Sequence, residues 1–108
     1  MIRENLIQSR GIRFSLRKAG VEIGHAYLYL MTNDLHDEPF GLMEDVFIEE
    51  EHRGHGGGTK LVRKILQMAK REGCYKLLTT SRHSNDRVHD LYTRLGFSSH
   101  GLEFRKDF

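Results

Sequence analysis

The sequence predicts one α+β domain, a mixed sheet flanked by two main helices. Three observations point there. Residues 12–16 alternate and residues 21–31 run apolar on either side of Ala19-Gly20, the pattern of an antiparallel hairpin. An apolar run, Val46-Phe47-Ile48, leads into a glycine cluster and then an amphipathic stretch from Gly57 to Glu72, after which Lys76 to Thr80 reads as a strand. Strand, helix and strand of that length imply a right-handed crossover between parallel neighbours. Val88, Leu91, Tyr92 and Leu95 then recur at helical spacing. The 108 residues suffice for a single modest core, so one domain is expected over 1–108.

Residues 1–10 carry no clear pattern and read as a loose leader or a short strand. Ile12, Phe14 and Leu16 alternate with Arg13, Ser15 and Arg17, as in a half-buried strand. Val21 to Met31 is the next strand, and its later half is apolar on both faces, which places it inside the sheet. Thr32 to Pro39 reads as an acidic loop holding the only proline. Phe40 to Ile48 is a third strand, in which Gly41 marks a bend or a close approach. The first helix sets Leu61, Val62, Ile65, Leu66 and Ala69 on one stripe, with its basic residues opposite and Gly73 as its stop. Ser84 or Asn85 caps the second helix, Asp86 suits its first turn and Gly96 ends it. Phe97 starts another strand, and Leu102 and Phe104, alternating with Glu103 and Arg105, predict a last one.

Composition narrows the function. High charge and modest apolar content predict a soluble protein, and no window is apolar for long enough to span a membrane. The N-terminus has no signal-peptide pattern, and the single cysteine, Cys74, cannot form an internal disulfide; both predict a cytoplasmic setting. The net charge of +2 hides an asymmetry. Residues 1–18 hold five Lys/Arg and one acid (+4), residues 19–52 nine acids and no Lys or Arg (−9), and residues 53–108 twelve Lys/Arg and five acids (+7). So acidic a middle argues against a nucleic-acid partner and suits a cationic substrate. The seven histidines have no metal-ligand spacing, so no metal is expected.

The glycine cluster carries the chemistry. Four of the eleven glycines fall within residues 54–58. Glycine lets backbone pass close to a ligand, and a helix N-terminus beyond it offers unpaired amides and the positive end of the dipole, a general anion site. The order Gly58-Thr59-Lys60 fails the P-loop pattern, and Thr59 stands where the dinucleotide fingerprint needs its third glycine. Arg53, Gly56 and Gly58 instead fit the pattern Arg/Gln-x-x-Gly-x-Gly/Ala, which resembles the pyrophosphate loop of the GNAT superfamily of acyl-CoA-dependent N-acyltransferases. Asn85, Val88, Leu91, Tyr92, Gly96 and Phe97 match a second signature of that family, at a separation that leaves room for one helix and one strand. The resemblance covers about residues 11–108.

The resemblance implies a mixed, mostly antiparallel sheet splayed at its centre, where the fourth and fifth strands part to admit acetyl-CoA. Phe40–Ile48 and Lys76–Thr80 would be those strands. Backbone groups of Val46, Phe47 and Ile48 would pair with the pantetheine arm, Arg53 and the amides of Gly54, His55, Gly56, Gly57, Gly58 and Thr59 would hold the pyrophosphate, and Asn85 would contact the pantetheine. Tyr92 stands where many members have a general acid for the departing thiolate; the alternative is a ring packed beneath the cofactor. Glu44, nine residues before Arg53, is either a base for the acceptor amine or a contact for its ammonium. Alternation puts Glu44 on the face of Leu42 and Val46 unless a bulge intervenes. The family's middle loop residue is usually aliphatic; Gly57 here predicts a looser loop. Only about ten residues precede the first clear strand, so a short member lacking the usual N-terminal helices is expected, with a homodimer covering the bared sheet. The implied activity is acetyl transfer from acetyl-CoA to a primary, cationic amine. A non-catalytic acyl-CoA-binding regulatory module is the alternative.

Overall fold

The computed structural model describes residues 1–108 and holds a four-stranded sheet and two α-helices. The strands are β1 (Arg10–Lys18), β2 (Val21–Asn33), β3 (His36–Ile48) and β4 (Leu77–Thr79), in spatial order β1-β2-β3-β4. The first two pairings are antiparallel and the third is parallel. Helix α1 (Gly57–Arg71) makes the crossover from β3 to β4, and α2 (Asp86–Arg94) follows β4. A single 3-10 turn, Glu50–His52, precedes the glycine loop.

The hairpin turn at Ala19-Gly20 forms as expected, with both residues at positive φ. The acidic loop does not. Strand β2 runs on to Asn33 and pairs with His36 across a two-residue turn. The Asn33 side chain closes that turn by accepting a hydrogen bond from the Leu35 amide at 2.8 Å, the local bond by which Asn replaces a glycine turn. Pro39 survives inside β3 because it sits in the irregular stretch between the Met31–Phe40 and Asn33–His36 pairs, where the ladder needs no donor from it.

The core is small and lies on one face of the sheet. Ala26, Leu28 and Leu30 of β2 and Met43 of β3 are buried against Leu61, Val62, Ile65 and Ala69 of α1. The 3.6-residue period of the helix meets the two-residue period of the strand here, so each element gives one stripe. Gly41 fits the expected close approach, since a Cβ there would lie 2.8 Å from Leu77 Cδ1. The opposite face carries His25, Tyr27, Tyr29, Leu42 and Glu44, and neither helix packs on it.

The strands expected at Phe97 and at 102–104 are absent. Residues 97–108 have no regular structure, and Leu102 and Phe104 are 74% and 88% exposed. Alternation specifies which side chains share a face, but a strand also needs a backbone edge to pair with. Beyond the Phe97 amide, this segment makes no backbone hydrogen bond to the body.

Candidate active site

The sheet parts where β3 leaves β4. Their pairing covers only Gly41–Leu77, Leu42–Leu78 and Met43–Thr79. At the end of the ladder the Thr79 hydroxyl donates to the Met43 carbonyl at 3.2 Å. Strand β3 then continues from Glu44 to Ile48 with no strand beside it on that edge. The separation opens a cleft of about 490 Å³.

A bulge decides which residues face that cleft. Tyr27 pairs with Glu44 and His25 with Phe47, so Asp45 and Val46 together oppose Ala26. Asp45 takes the extra residue's strain at φ 50°, a left-handed conformation that Asp tolerates better than most. The bulge corrects the simple alternation. Glu44 shares the face of Leu42, opposite the core, whereas Val46 and Ile48 turn to pack against the core. Glu44 and Val46 therefore line the cleft from different faces of the strand.

Helix α2 supplies the facing wall. The Asn85 side chain caps it, its Oδ1 accepting from the Val88 amide at 3.3 Å. Cap geometry explains why Asn stands there, but it uses the oxygen alone, and the side-chain nitrogen donates to no protein group. One turn beyond Val88, the Tyr92 ring packs 5.2 Å from the Phe97 ring, and its hydroxyl makes none of the side-chain hydrogen bonds of the fold. Asn85, Val88 and Tyr92 line the same cleft as Glu44 and Val46.

Three further charged side chains reach this cleft without any sequence signal having marked them: Arg82 from the loop after β4, and Glu103 and Arg105 from the C-terminal segment. The alternation of 102–105 is kept but its sense is inverted. The polar pair faces the cleft and the apolar pair faces solvent. His89 turns away, its Nε2 lying 2.9 Å from the Arg82 carbonyl, and so ties the loop to α2.

The glycine loop sits apart, at the far end of β3. Gly54 and Gly56 take positive φ of 82° and 83°, which a side chain would disfavour, and open space lies beside both. Gly56 is also the N-cap of α1. The amides of Gly57, Gly58 and Thr59 have no backbone acceptor. These are the orphan donors of a helix start, and the room above the two left-handed glycines fits an anion such as a pyrophosphate. Gly57 is glycine for another reason. A Cβ there would lie 2.9 Å from Leu16 Cδ2 and 3.0 Å from Ile48 Cδ1, so those two side chains fill the space of the aliphatic residue expected at this position.

Arg53 locks the loop to its strand. Its Nε donates to the Ile48 carbonyl at 2.8 Å, and its guanidinium lies 5.5 Å over the Phe47 ring. Phe47 in turn stacks on His25 at 5.3 Å on the open face. Phe47, Ile48 and residues 53–59 thus lie outside the cleft that holds Glu44 and Tyr92, and β3 joins the two groups. On the same open face Arg13 makes a bidentate pair with Glu22 at 2.6 and 2.9 Å and donates to the Tyr27 hydroxyl at 3.3 Å. Hydrogen bonding from Arg13 lowers the Glu22 pKa to about 2. No cluster of three or more His, Cys, Asp or Glu forms that could hold a metal, and no helix is long and apolar enough to cross a membrane.

A family model described as the acetyltransferase (GNAT) family matches residues 2–97, which shifts the matched region toward the N-terminus and leaves out the last residues of the 11–108 expected. A thialysine N-epsilon-acetyltransferase of Bos taurus is 37% identical over 54 residues, covering 50% of this chain and 32% of that protein. A glucosamine 6-phosphate N-acetyltransferase of Trypanosoma brucei brucei is 31% identical over 67 residues, covering 62% of this chain and 44% of the relative. The chain thus spans less than half of the length of these curated relatives. Among solved structures, an acetyltransferase of Agrobacterium tumefaciens described as putative superposes with a TM-score of 0.85 at 25% identity, over 91% of this chain and 69% of the other.

Proposed function

The chain belongs to the GNAT acetyltransferase family, and from that premise we propose that it transfers an acetyl group from acetyl-CoA to a primary amine. One observation carries the reading. Glu44 and Tyr92 line a single cleft, each without a protein hydrogen-bond partner, and the unpaired β3 edge leads from that cleft to a loop of unpaired amides.

Acetyl-CoA is the co-substrate and supplies an acyl group activated as a thioester. The amides of Gly57, Gly58 and Thr59, with the backbone of Gly54 to Gly56, hold its pyrophosphate, and Arg53 keeps that loop in place. Val46 to Ile48 offer backbone groups to the pantetheine, as a sheet edge does to a peptide, and Asn85 contributes its free side-chain nitrogen. A strand amide near Val46 polarises the thioester carbonyl. The amine nitrogen bonds to the carbonyl carbon as the carbon–sulfur bond breaks. Glu44 takes the proton the amine loses, and Tyr92 gives one to the sulfur.

The acceptor is a cationic amine, a small molecule or a protein amine, because the acidic segment 19–52 supplies Glu44 and Asp45 to the cleft mouth. The relatives named for thialysine and for glucosamine 6-phosphate act on amines of different charge, so the choice rests on this chain's own acids. The protein works in the cytoplasm as a homodimer whose contact covers the open aromatic face of β2 and β3. Sedimentation as a monomer at micromolar concentration would remove that contact.

The test is thiol release from acetyl-CoA across a panel of cationic, neutral and anionic amines. Turnover with cationic amines, weakening as salt rises, is expected. Equal turnover of anionic amines sinks the cationic acceptor. Acetyl-CoA binding with no turnover of any amine replaces the enzyme by a regulatory acyl-CoA-binding module.

A further inference from the structure

The loop between β4 and α2 is held by hydrogen bonds at a single atom. Its residues 80–84 bring Thr80, Ser81 and Arg82 to the cleft, and Asn85 follows at the helix cap. Beyond the bond from Thr79 to Met43, only the Arg82 carbonyl of this loop is hydrogen-bonded. That oxygen accepts twice, from the Asn85 amide at 3.0 Å and from His89 Nε2 at 2.9 Å. A carbonyl oxygen has two lone pairs, so both are used. The first bond closes the turn on itself. The second is the only one that reaches the loop from outside that turn.

His89 meets this turn at two points. Its own amide donates to the Asn85 carbonyl at 3.2 Å, and its ring reaches back to Arg82. A carbonyl only accepts, so Nε2 carries the proton. On the other side of the ring, Nδ1 lies 3.9 Å from Asp86 Oδ1, too long for a hydrogen bond. The ring therefore has one hydrogen-bond partner, the Arg82 carbonyl. Asn85 is bracketed by the same network. Its amide ends on Arg82, its carbonyl on His89 and its Oδ1 on the Val88 amide. What remains free is the side-chain nitrogen, at the cleft. Histidine is a mediocre helix former and takes no place in the stripe of Val88, Leu91, Tyr92 and Leu95, so the ring bond is what position 89 supplies.

We propose that His89 is a positioning residue for the cofactor: by holding the Arg82 carbonyl it fixes the turn that aims the Asn85 side-chain nitrogen at the pantetheine arm. This role rests on the acetyl-CoA reading given above. His89 touches neither the acceptor nor the reacting sulfur. Tyr92 is set independently, by its packing on Phe97. Loss of the ring bond therefore weakens cofactor binding and spares the chemical step.

Two variants separate the donor from the bulk of the ring. His89→Gln keeps an N–H near the place of Nε2, and His89→Leu keeps volume without a donor. In His89→Leu the KM for acetyl-CoA and the Kd for coenzyme A should each rise about two- to tenfold, the net worth of one hydrogen bond, while kcat changes less than about twofold. His89→Gln should recover most of that loss. Solvent exchange of the Asn85 amide, read by NMR without ligand, should be faster in His89→Leu and close to wild type in His89→Gln. Equal losses of affinity in both variants would reduce His89 to packing. A fall in kcat at constant KM would place it in the chemical step instead, and either result overturns the proposal. If wild type binds no coenzyme A, the acetyl-CoA reading fails and takes this role with it. Normal binding by wild type and His89→Leu alike overturns the positioning role alone.

Discussion

The glycine loop and the cleft are both built on β3, yet they are held in opposite ways. The loop is one contiguous stretch. Its shape follows from two left-handed glycines and from the Arg53 bond to Ile48, five residues away. The cleft draws on four separated stretches, namely β3, the end of β4 with its loop, α2 and the C-terminal segment. Few direct bonds join those stretches. Thr79 ties β4 to β3, and Tyr92 reaches the core only through packing. A local site breaks when one backbone conformation is forbidden. A distributed site keeps its fold when one side chain changes and loses only that side chain's chemistry.

The largest effect should therefore come from the loop. Gly56→Val places a β-branched residue at φ 83° with nothing within 4 Å to clash, so the cost is conformational, and the backbone leaves the geometry that presents the helix amides. Wild type should gain thermal stability on adding acetyl-CoA, because a ligand bound only by the folded state stabilises it. The variant should fold and show no such gain. A full thermal shift in Gly56→Val would mean that the loop does not hold the cofactor.

Changes in the cleft should leave binding nearly intact and alter rates. Tyr92→Phe keeps the ring against Phe97 and removes only the unpartnered hydroxyl. The turnover rate should fall by about two orders of magnitude, within the usual range for a general acid, with little change in coenzyme A affinity. Unimpaired turnover, measured where chemistry limits the rate, reduces Tyr92 to a packing residue. Glu44→Gln should cost most at low pH, where the amine is mostly protonated, and less at high pH. A rise in KM alone, at constant kcat, would make Glu44 an anchor for the ammonium instead of a base.

The smallest effect tests the packing beneath the loop. Gly57→Val should destabilise by about 1–3 kcal/mol, the cost of overpacking, since Leu16 and Ile48 already occupy the space. Adding Leu16→Ala should recover part of the loss. Chemical denaturation of the single and double variants measures both, and purely additive losses would show that residues 16 and 57 do not compete.

Much of this was legible because it is local. Alternation at Ile12, Phe14 and Leu16 and the stripe from Leu61 to Ala69 placed β1 and α1, since side-chain periodicity is a property of the backbone itself. A cap at Ser84 or Asn85 could be read for the same reason, and Asn85 takes it. The hairpin at Asn33 escaped because no glycine follows Asn33 or Asp34 to mark a two-residue turn, and a side-chain bond helps make the reversal. The final strands failed because Phe97, Leu102 and Phe104 carry the pattern without an edge to join.

By itself the sequence determined the first hairpin, the two helices, the glycine loop and the family to which these motifs belong. Each depends on residues within about one turn of one another, where sterics and hydrogen bonding act along the chain. Only the tertiary structure decided where side chains meet. Ala26 had to lie opposite both Asp45 and Val46 before Glu44 and Val46 could part to different faces of β3. Arg82 and Arg105, distant in sequence from Glu44, enter its cleft only through the way the chain folds back. Such meetings depend on register and packing between elements, and no local preference along the chain encodes them.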